Sequence, residues 1–409
     1  MARSGLVERG GEDAPAFTVL QLVPRLDEGG VERGAIEIAQ AIVAAGGRAL
    51  VASRGGRLEP ALRRAGGELL RLPMDGRSPW AILRNVAPLR AAIRAHRVDI
   101  VHARSRAPAW AGLIAARAEG AAFVTTYHGA YRQRLPGKGL YNSVMARGRP
   151  VIAISDFIAG LVRRRHGVPE GQIVTIPRGA DLEQFDPARV TADRLAALSQ
   201  AWGCDDDPRP VLLLPGRLTR WKGQMVAVEA AGRLRADGGP LPFRLILAGG
   251  DANGAFATEL ATRAARLGLG DALRLVGPVA DMPAAYKLAS LVLCPSIEPE
   301  AFGRTAVEAQ AMGRRVIAAD HGGARETVAH GQTGWLVRPG DPAALAEAIR
   351  AALSQPPEAV ARMEAAGRAR VEARFSVAAM QAATIAVYRG LLAARGAEAR
   401  QGAAAAIEG

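Results

Sequence analysis

The chain is a basic protein of 409 residues, in which 53 lysines and arginines against 39 acidic residues give a formal net charge of +14. This length suits two domains of about 200 residues, each large enough to bury its own hydrophobic core. Its two cysteines, Cys204 and Cys294, exclude a framework of disulfides and suit a reducing compartment.

The termini and the distribution of charge bear on the location of the protein. Residues 1–16 are charged and glycine-rich and contain no apolar segment, which predicts a disordered N-terminus rather than a signal peptide. No run of about 18 apolar residues is present, so we expect no membrane span and a cytoplasmic protein. Residues 1–200 hold 29 basic and 18 acidic side chains. This excess favours either a peripheral contact with the anionic inner face of the cytoplasmic membrane or a simple solubilising charge.

Short apolar runs alternate with helical patterns along the first half of the chain. The predicted strands are residues 17–24, 48–53, 68–72, 98–103, 122–127, 151–154 and 173–176, and the predicted helices are residues 32–45, 58–65, 80–96, 107–118, 156–166 and 190–200. This alternation is typical of a parallel sheet with helices on both faces. We therefore expect an N-terminal α/β domain over residues 17–203, with ligands at the carboxyl ends of its strands.

The alternation begins again after a linker rich in aspartate and proline. The predicted strands are residues 211–214, 243–247, 273–276, 291–294, 316–319 and 334–337, and the predicted helices are residues 224–236, 253–267, 304–312, 342–353 and 357–373. The pattern predicts a second α/β domain over residues 204–376, a helix over residues 377–395 and a disordered alanine-rich tail over residues 396–409.

One stretch of the second domain combines a loop, a helix and two carboxylates. Glu300 lies in the loop between the strand at residues 291–294 and a helix that begins after Gly303, and Glu308 lies eight positions on, inside the helix. The unpaired N–H groups at a helix N-terminus suit a phosphate. Glu300 can accept hydrogen bonds from sugar hydroxyls, and Glu308 can accept both hydroxyls of a ribose. The alternative is a loop acid that caps the helix and a second acid exposed to solvent.

Further candidates follow other predicted strands. Arg217 and Lys222, five positions apart in one turn, suit a diphosphate held from two sides, and the alternative is two surface bases. The pairs Gly249–Gly250 and Val276–Gly277 end two strands, where glycine permits the close approach of a ligand but is also an ordinary turn residue. His128 ends a strand of the N-terminal domain, where a single histidine is more often structural.

The region around Glu300 and Glu308 resembles the E-x(7)-E region of the retaining glycosyltransferase family 4. The residues that carry the resemblance are Glu300–Gly303, Glu308, Ala309, Gly313, Gly322, Gly323, Glu326 and Gly334–Val337. The resemblance extends over roughly residues 17–388. It implies the GT-B fold, an α/β architecture of two Rossmann-like domains that face each other across a cleft. It also implies that the helix at residues 377–395 crosses back to the N-terminal domain.

The resemblance also implies a role for each matching residue. The implied donor site consists of Arg217, Lys222, Gly249, Gly250, Val276, Gly277, Glu300, Ala301, Phe302, Gly303, Arg304, Thr305 and Glu308. Gly29, Gly30 and His128 are implied on the acceptor side. The implied catalytic residues are Glu300, His128, Arg217 and Lys222. Asparagine is common in the family where this chain has Arg178, so the resemblance gives that residue no acceptor role.

The predicted activity is a retaining, metal-independent transfer of a sugar from a nucleotide-diphosphate sugar of UDP or GDP to an acceptor hydroxyl. The resemblance implies a glycan or lipid-linked acceptor in the biosynthesis of bacterial lipopolysaccharide or exopolysaccharide. We expect no metal, because the D-x-D pattern at Asp205–Asp207 lies in the linker rather than at the end of a strand. We also expect no cofactor and no nucleic-acid partner. Two alternatives stay open: a nucleotide-sugar epimerase of the same fold, which needs no acceptor, and a non-catalytic peripheral membrane protein, which binds liposomes but no nucleotide.

Overall fold

The computed structural model of the protein describes residues 16–27, 29–131, 137–235, 240–250 and 254–408. The predicted disordered N-terminus lies outside these ranges except for Ala16. The chain forms two compact units: unit 1 covers Met1–Thr126, Leu135–Val151 and Thr384–Gly409, and unit 2 covers Tyr127–Arg134 and Ile152–Ala383. The domain boundaries at residues 203 and 376 stay a prediction from the sequence.

Seven strands form the first sheet, in the order β3-β2-β1-β4-β5-β6-β7. Its strands are β1 (Thr18–Leu22), β2 (Arg48–Ser53), β3 (Glu68–Arg71), β4 (Ile100–Ala103), β5 (Ala122–Tyr127), β6 (Val151–Ala153) and β7 (Ile173–Thr175). Strand β1 pairs in parallel with β2 on one side and with β4 on the other. Both β1 and β4 are buried along their whole length, as expected for central strands covered by helices on both faces.

Six strands form the second sheet, in the order β10-β9-β8-β11-β12-β13. Its strands are β8 (Val211–Pro215), β9 (Arg244–Ala248), β10 (Leu273–Gly277), β11 (Leu291–Cys294), β12 (Arg315–Ala319) and β13 (Gly334–Val337). Every pairing in this sheet is parallel. Leucines that alternate along β8, β9 and β11 join one buried apolar cluster. The predicted α/β class with two parallel sheets is confirmed.

The helices lie where the sequence predicts them, with two kinds of exception. They are α1 (Gly30–Ala44), α2 (Glu59–Arg64), α3 (Pro79–Leu83), α4 (Val86–Ala95), α5 (Arg106–Ala118), α6 (Lys138–Ser143), α7 (Asp156–His166), α8 (Ala192–Ala201), α9 (Gln224–Leu234), α10 (Ala255–Arg266), α11 (Met282–Leu288), α12 (Arg304–Ala311), α13 (Ala324–Thr327), α14 (Pro342–Leu353), α15 (Pro357–Arg374) and α16 (Val377–Glu408). The first is a set of three short helices, α6, α11 and α13, which have no counterpart among the predicted elements.

The second exception is the helix predicted over residues 80–96, which is two helices, α3 and α4. Between them the buried side chain of Asn85 donates to the carbonyls of Pro73 and Ala81, at 3.1 and 2.9 Å. An asparagine that bonds to nearby carbonyls competes with the helical hydrogen bonds. Pro88, which lacks an N–H, then lies in the first turn of α4, where proline is tolerated.

The last helix, α16, is longer than predicted and continues to Glu408 through the stretch for which the sequence predicts a disordered tail. Within unit 1, the buried Tyr388 bonds through its hydroxyl to Nδ1 of His102 at 2.6 Å. Arg395 donates to the carbonyl of Asp99 at 2.7 Å. By length and composition alone, Val377–Ala397 is apolar enough to cross a membrane, with a mean hydropathy of 1.4. This finding concerns length and composition only, and the expectation that the chain does not span a membrane stays a prediction.

Candidate active site

The strand order of the second sheet opens a crevice at the carboxyl ends of β8 and β11. The chain leaves β8 toward β9 on one side, whereas β11 pairs with β8 on the other side. Loops that follow two such strands diverge, and parallel sheets bind their ligands at this switch point. Arg217 and Lys222 follow β8, and Glu300 follows β11. The sequence alone could not supply this strand order, which brings the two motifs to one place.

The loops after β8 and β11 are held together by backbone contacts. The N–H of Ile297 donates to the carbonyl of Trp221 at 2.7 Å. Gly223 has a φ of 80°, and a Cβ at this position would lie 1.9 Å from the carbonyl oxygen of Pro295. A residue other than glycine would therefore need both a strained backbone and a displaced loop. Gly223 thus fixes the distance between the two loops.

Lys222 and Glu300 form an ion pair where these loops meet. Nζ of Lys222 lies 2.9 Å from Oε1 of Glu300, and the two side chains are 15% and 17% exposed. The same oxygen accepts a hydrogen bond from Oγ of Ser296 at 2.5 Å. The ammonium also lies 4.7 Å from the centre of the Trp221 ring. The lysine predicted for phosphate and the glutamate predicted for sugar are thus direct neighbours, both held ready in a fixed geometry.

Glu308 is fixed by two donors inside α12 and α11. Its Oε1 accepts from Nε of Arg304 at 2.7 Å, and its Oε2 accepts from the hydroxyl of Tyr286 at 3.0 Å. Burial, and then the negative charge of Glu308, raise the pKa of Tyr286 well above its ordinary value. The phenol therefore stays protonated and donates to the carboxylate. Each carboxylate oxygen keeps a second acceptor site for a ligand.

The N-terminus of α12 opens beside this pair of acids. Gly303 is the residue before the helix, with a φ of 91° and no side chain to cap the helix. The first N–H groups of the helix, those of Arg304 and Thr305, have no partner one turn earlier. The preceding Phe302 is buried and packs edge-on against Phe375, with ring centres 5.7 Å apart. This packing anchors the loop that carries Ala301 and aims the helix end.

Two glycines and a serine hold the Glu300 loop from outside. The N–H of Gly323 donates to the carbonyl of Glu300 at 2.9 Å. A Cβ on Gly323 would lie 2.4 Å from Cα of Phe302, and a Cβ on Gly322 would lie 2.5 Å from the carbonyl oxygen of Glu300. Oγ of Ser155 donates to the carbonyl of Ala301 at 2.5 Å. The resemblance included these glycines without a reason, and the structure supplies one.

Glu326 docks α13 onto the N-terminus of α7, also within unit 2. Its carboxylate accepts from the N–H groups of Asp156 and Phe157 at 2.8 and 2.7 Å. Burial raises the pKa of Glu326, and these two hydrogen bonds oppose that rise. Ser155, which accepts from the N–H of Ile158, caps the helix. Asp156 is the first residue inside the helix.

The glycines at the ends of β9 and β10 pack against neighbouring backbone. The N–H of Gly249 donates to the carbonyl of Gly277 at 2.7 Å, and the N–H of Leu218 donates to the carbonyl of Gly250 at 3.3 Å. A Cβ on Gly249 would lie 1.9 Å from the carbonyl oxygen of Gly216. Gly249 therefore has a structural role, and a donor-binding role for these glycines and Val276 stays a prediction.

Arg217 presents an exposed side chain at the mouth of this site. Its carbonyl accepts from Nε2 of Gln224 at 2.9 Å, which fixes its backbone. Within the described part of the chain its guanidinium has no hydrogen-bond or ion-pair partner. The backbone of Arg217 is thus held in place while its side chain is able to move, which suits a residue that closes on a ligand. His128, half-buried after β5, takes no part in the hydrogen bonds of Lys222, Glu300 and Glu308.

The D-x-D pattern of the sequence is used for structure. Arg209 first, and then the buried Arg244, hold the pKa of Asp207 well below its ordinary value through direct hydrogen bonds. The closest contacts are 2.6 Å to Arg209 and 2.7 Å to Arg244. Among the residues that the structure describes, no group of three metal-binding side chains is found.

Four residues of the site escaped the sequence analysis: Tyr286, Ser296, His321 and Trp221. His321 lies two residues after the end of β12, and its Nε2 bonds to the carbonyl of Ser296 at 2.8 Å. A polar residue just after a buried strand is a signal that could have identified both His321 and Ser296. Tyr286 gave no such signal, because α11 reaches Glu308 only through the folded chain.

Unit 1 has a polar cavity at the corresponding switch point of its own sheet. The cavity has a volume of about 510 Å³ and lies where the loops after β1 and β4 diverge. It is lined by Pro24, Arg25, Asp27, Glu32, Asp75, Arg77, Ser105, Arg106, Ala107 and Tyr141. Gly29 and Gly30, the predicted acceptor-side glycines, belong to the loop and first turn that carry Asp27 and Glu32.

Two family models match the chain: Glycosyl transferases group 1 over residues 203–370, and Glycosyltransferase Family 4 over residues 28–184. Two D-inositol 3-phosphate glycosyltransferases of Catenulispora acidiphila are 36% identical over 246 residues and 33% identical over 311 residues. The first match covers 58% of this chain and 55% of the relative, and the second covers 71% and 72%. The chain thus spans little more than half the length of the first relative.

Solved structures cover nearly the whole chain. A glycosyltransferase from Rickettsia africae has a TM-score of 0.84 and 34% identity, over 92% of this chain and 98% of its own. Anabaena HepE, solved with UDP and glucose, has a TM-score of 0.75 and 25% identity, over 91% of this chain and 99% of its own. These likenesses place the protein in the GT-B class of glycosyltransferases. Within that class, the chain belongs to the group 1 glycosyltransferases.

Proposed function

We propose that the protein transfers a sugar from a nucleotide-diphosphate sugar to an acceptor hydroxyl, with retention at the anomeric carbon and without a metal. The observation that carries the proposal is the pair of Lys222 and Glu300 beside the open N-terminus of α12, with Glu308 about one turn inside that helix. Cationic groups and helix N–H groups suit a diphosphate, and two fixed carboxylates suit the hydroxyls of two sugars.

In this proposal Arg217 and Lys222 hold the diphosphate. Lys222 is fixed by Glu300 and Trp221, whereas Arg217 closes from the surface. As the bond between the anomeric carbon and the phosphate oxygen breaks, negative charge develops on the leaving diphosphate. Both cations and the N-terminus of α12 stabilise that charge without a metal. The anomeric carbon becomes oxocarbenium-like.

The acceptor hydroxyl then attacks from the face that the diphosphate leaves, which retains the configuration. The departing phosphate oxygen takes the proton of that hydroxyl, so this route needs no covalent enzyme intermediate. Glu300 accepts a hydroxyl of the transferred sugar and keeps the sugar in position. His128 is the proposed contact for the transferred sugar or the acceptor hydroxyl.

Glu308 binds the ribose of the nucleotide. Tyr286 and Arg304 hold its carboxylate in one orientation, so the two oxygens are presented to the ribose hydroxyls without a search for the right rotamer. We propose UDP as the nucleotide, because HepE is similar to this chain and was solved with UDP and glucose. GDP is the alternative to be tested beside it.

The acceptor is proposed to bind in the polar cavity of unit 1, close to Gly29 and Gly30. The resemblance noted in the sequence favours a glycan or lipid-linked acceptor of lipopolysaccharide or exopolysaccharide synthesis. The names of the curated relatives favour a phosphorylated polyol. The three arginines and three acids in the cavity wall suit a polar acceptor of either kind, with hydroxyl groups as well as an anionic group. We propose a cytoplasmic protein that works at the inner face of the membrane.

The test begins with thermal shifts of the purified protein in UDP, GDP and ADP, because a ligand that binds the folded state raises its apparent stability. Transfer is then measured from the matching donor, and the anomeric configuration of the product is read by NMR. We expect retention, full activity in EDTA and loss of nearly all transfer in Lys222→Ala. The control is Arg220→Ala, an exposed base two positions away that pairs with Glu259. Full activity of Lys222→Ala, an inverted product or turnover of the donor without acceptor would contradict the proposal.

A further inference from the structure

An apolar surface lies on unit 1, away from the residues assigned above. Among the described residues, six large hydrophobic side chains are exposed, and four of them lie on three adjoining helices of this unit. Trp80 is 82% exposed, Leu140 66%, Leu83 50% and Ile114 39%. A cluster of such side chains on a solvent-exposed face needs an explanation, whereas single exposed side chains do not.

These residues surround a cavity of about 330 Å³ between α3, α5 and α6. Leu83, Ile114 and Leu140 line it, together with Ile82 and Trp110. The indole N–H of Trp110 is already donated to the carbonyl of Tyr141 at 3.1 Å, so it makes no demand on a ligand. The cavity therefore offers contact to hydrocarbon rather than to a polar group.

The rim of this cavity is positively charged. A second cavity next to it is lined by Arg77, Arg106, Lys138 and Tyr141. Arg77 and Lys138 are exposed, and neither has a carboxylate partner within the described part of the chain. Arg106 and Lys138 lie over the Tyr141 ring, 5.5 and 5.7 Å from its centre. Lys138 and Arg77 are thus available to an outside anion.

Asp75 does not cancel the charge of Arg77. Asp75 lies in the wall of the polar cavity, but it already accepts from Arg25 at 2.8 Å and from Arg54 at 2.9 Å. These contacts, first that with Arg54, lower the pKa of Asp75 and keep it ionised within its own cluster of arginines. Arg77 and Lys138 therefore present two exposed positive charges at the rim, without carboxylate partners in the described part of the chain.

We propose that this face docks onto an anionic membrane surface, with an anionic phospholipid as the occupant of the cavity. Trp80, Leu83 and Leu140 enter the boundary of headgroups and acyl chains, where tryptophan is favoured. One acyl chain of the phospholipid enters the apolar cavity, and the phosphate of its headgroup contacts Arg77 and Lys138. A free phosphate would leave the apolar cavity unused, and a neutral apolar partner would leave the basic rim unused.

The docking face explains where an acceptor would come from. The apolar cavity shares Arg77 and Tyr141 with the polar cavity of unit 1. A bound membrane would thus place headgroups next to the proposed acceptor cavity, which favours an acceptor whose sugar is linked to a lipid. This last step rests on the proposed function, whereas the docking itself does not.

The test is cosedimentation of the full chain with vesicles of phosphatidylcholine alone and of phosphatidylcholine mixed with phosphatidylglycerol, with no donor or acceptor present. We expect binding to the anionic vesicles only, and weaker binding as salt rises. Leu83→Asp/Leu140→Asp should lower the partition coefficient about tenfold or more, because two apolar side chains leave the bilayer. Arg77→Ala/Lys138→Ala should lower it about tenfold.

The matched controls change the same chemistry elsewhere. Val43→Asp alters an exposed apolar residue on α1, and Arg266→Ala/Arg350→Ala removes two exposed arginines of unit 2. Both should bind vesicles as the unchanged protein does. UDP binding, measured on every variant, should be unaltered, so a failure of docking is distinguished from a failure of the proposed activity.

Three results would overturn the proposal. The first is a partition coefficient that is the same for vesicles of both compositions. The second is binding that Leu83→Asp/Leu140→Asp leaves unchanged. The third is a dimer in gel filtration that this variant converts to a monomer, which would make the face an interface between two copies of the chain.

Discussion

The ion pair between Lys222 and Glu300 yields a prediction of energy as well as of activity. The two charged groups are in contact at 2.9 Å and are 15% and 17% exposed. At an effective dielectric constant of about 20, two unit charges about 4 Å apart attract by about 4 kcal/mol. Desolvation offsets much of this, and hydrogen bonds to charged groups are worth about 1.5–3 kcal/mol net. We therefore predict a coupling free energy of about 2 kcal/mol.

The assay is a double-mutant cycle on the free energy of unfolding in urea, without ligand. Lys222→Met and Glu300→Gln keep the volume of each side chain and remove its charge, and the double variant closes the cycle. The double variant should lose about 2 kcal/mol less stability than the sum of the losses of the two single variants, because each single variant already leaves one charge without its partner. Arg220 and Glu259, an exposed pair of unit 2, serve as the matched control cycle.

The coupling free energy of Lys222 and Glu300 should be clearly larger than that of the control pair, because solvent screens the charges of the control pair. A coupling as small as that of Arg220 and Glu259 would refute the reasoning, because the pair would then be held no better than a surface contact. An unchanged midpoint in Glu300→Gln would refute it as well.

Three further predictions concern residues that support Glu308, the loops of the site and the linker. Tyr286→Phe removes one of the two donors to Glu308, and the KM for the donor should rise about tenfold at every pH in the neutral range, since the phenol stays protonated; an unchanged KM would contradict this role. Gly223→Ala should lower the free energy of unfolding by about 2 kcal/mol or more and abolish UDP binding, while Gly171→Ala, where no atom lies within 4 Å of the new Cβ, should do neither. Asp207 has a folded pKa below its unfolded one, so the stability it adds is present above about pH 4 and lost as the pH falls toward the folded value. Asp207→Asn should therefore lower the melting temperature at neutral pH, and the difference should shrink in acid; a constant difference would oppose the assignment.

Much of the fold could be predicted because hydrophobic pattern and chain length determine it. The buried run at Leu291–Cys294 and the glycine at 303 predicted β11 and the start of α12, and the structure has both. Local patterns failed where a side chain competes with the backbone. Asn85 divides one predicted helix in this way, because its amide occupies nearby carbonyls.

The site could be predicted only in its acidic and basic residues. The positions of Lys222, Glu300 and Glu308 are visible in the sequence, whereas the pairing of Lys222 with Glu300 depends on β8 and β11 being neighbours. That neighbourhood is a contact between residues about 80 positions apart. Tyr286 shows the same limit, since nothing in its own helix indicates that its hydroxyl meets a carboxylate.

The measurement that tests the central claim most directly is the binding of UDP to the ligand-free protein by isothermal titration calorimetry, for the unchanged chain, Glu308→Ala and Glu347→Ala. Glu347 is an exposed glutamate on α14 with no ion-pair partner in the described part of the chain, so its removal changes the net charge equally. We predict saturable binding of one UDP per chain, unaffected in Glu347→Ala and weakened at least about tenfold in Glu308→Ala. The claim that unit 2 binds the donor at this site would be contradicted if the three proteins bound each nucleotide, UDP or GDP, with the same affinity. It would also be contradicted if neither nucleotide bound.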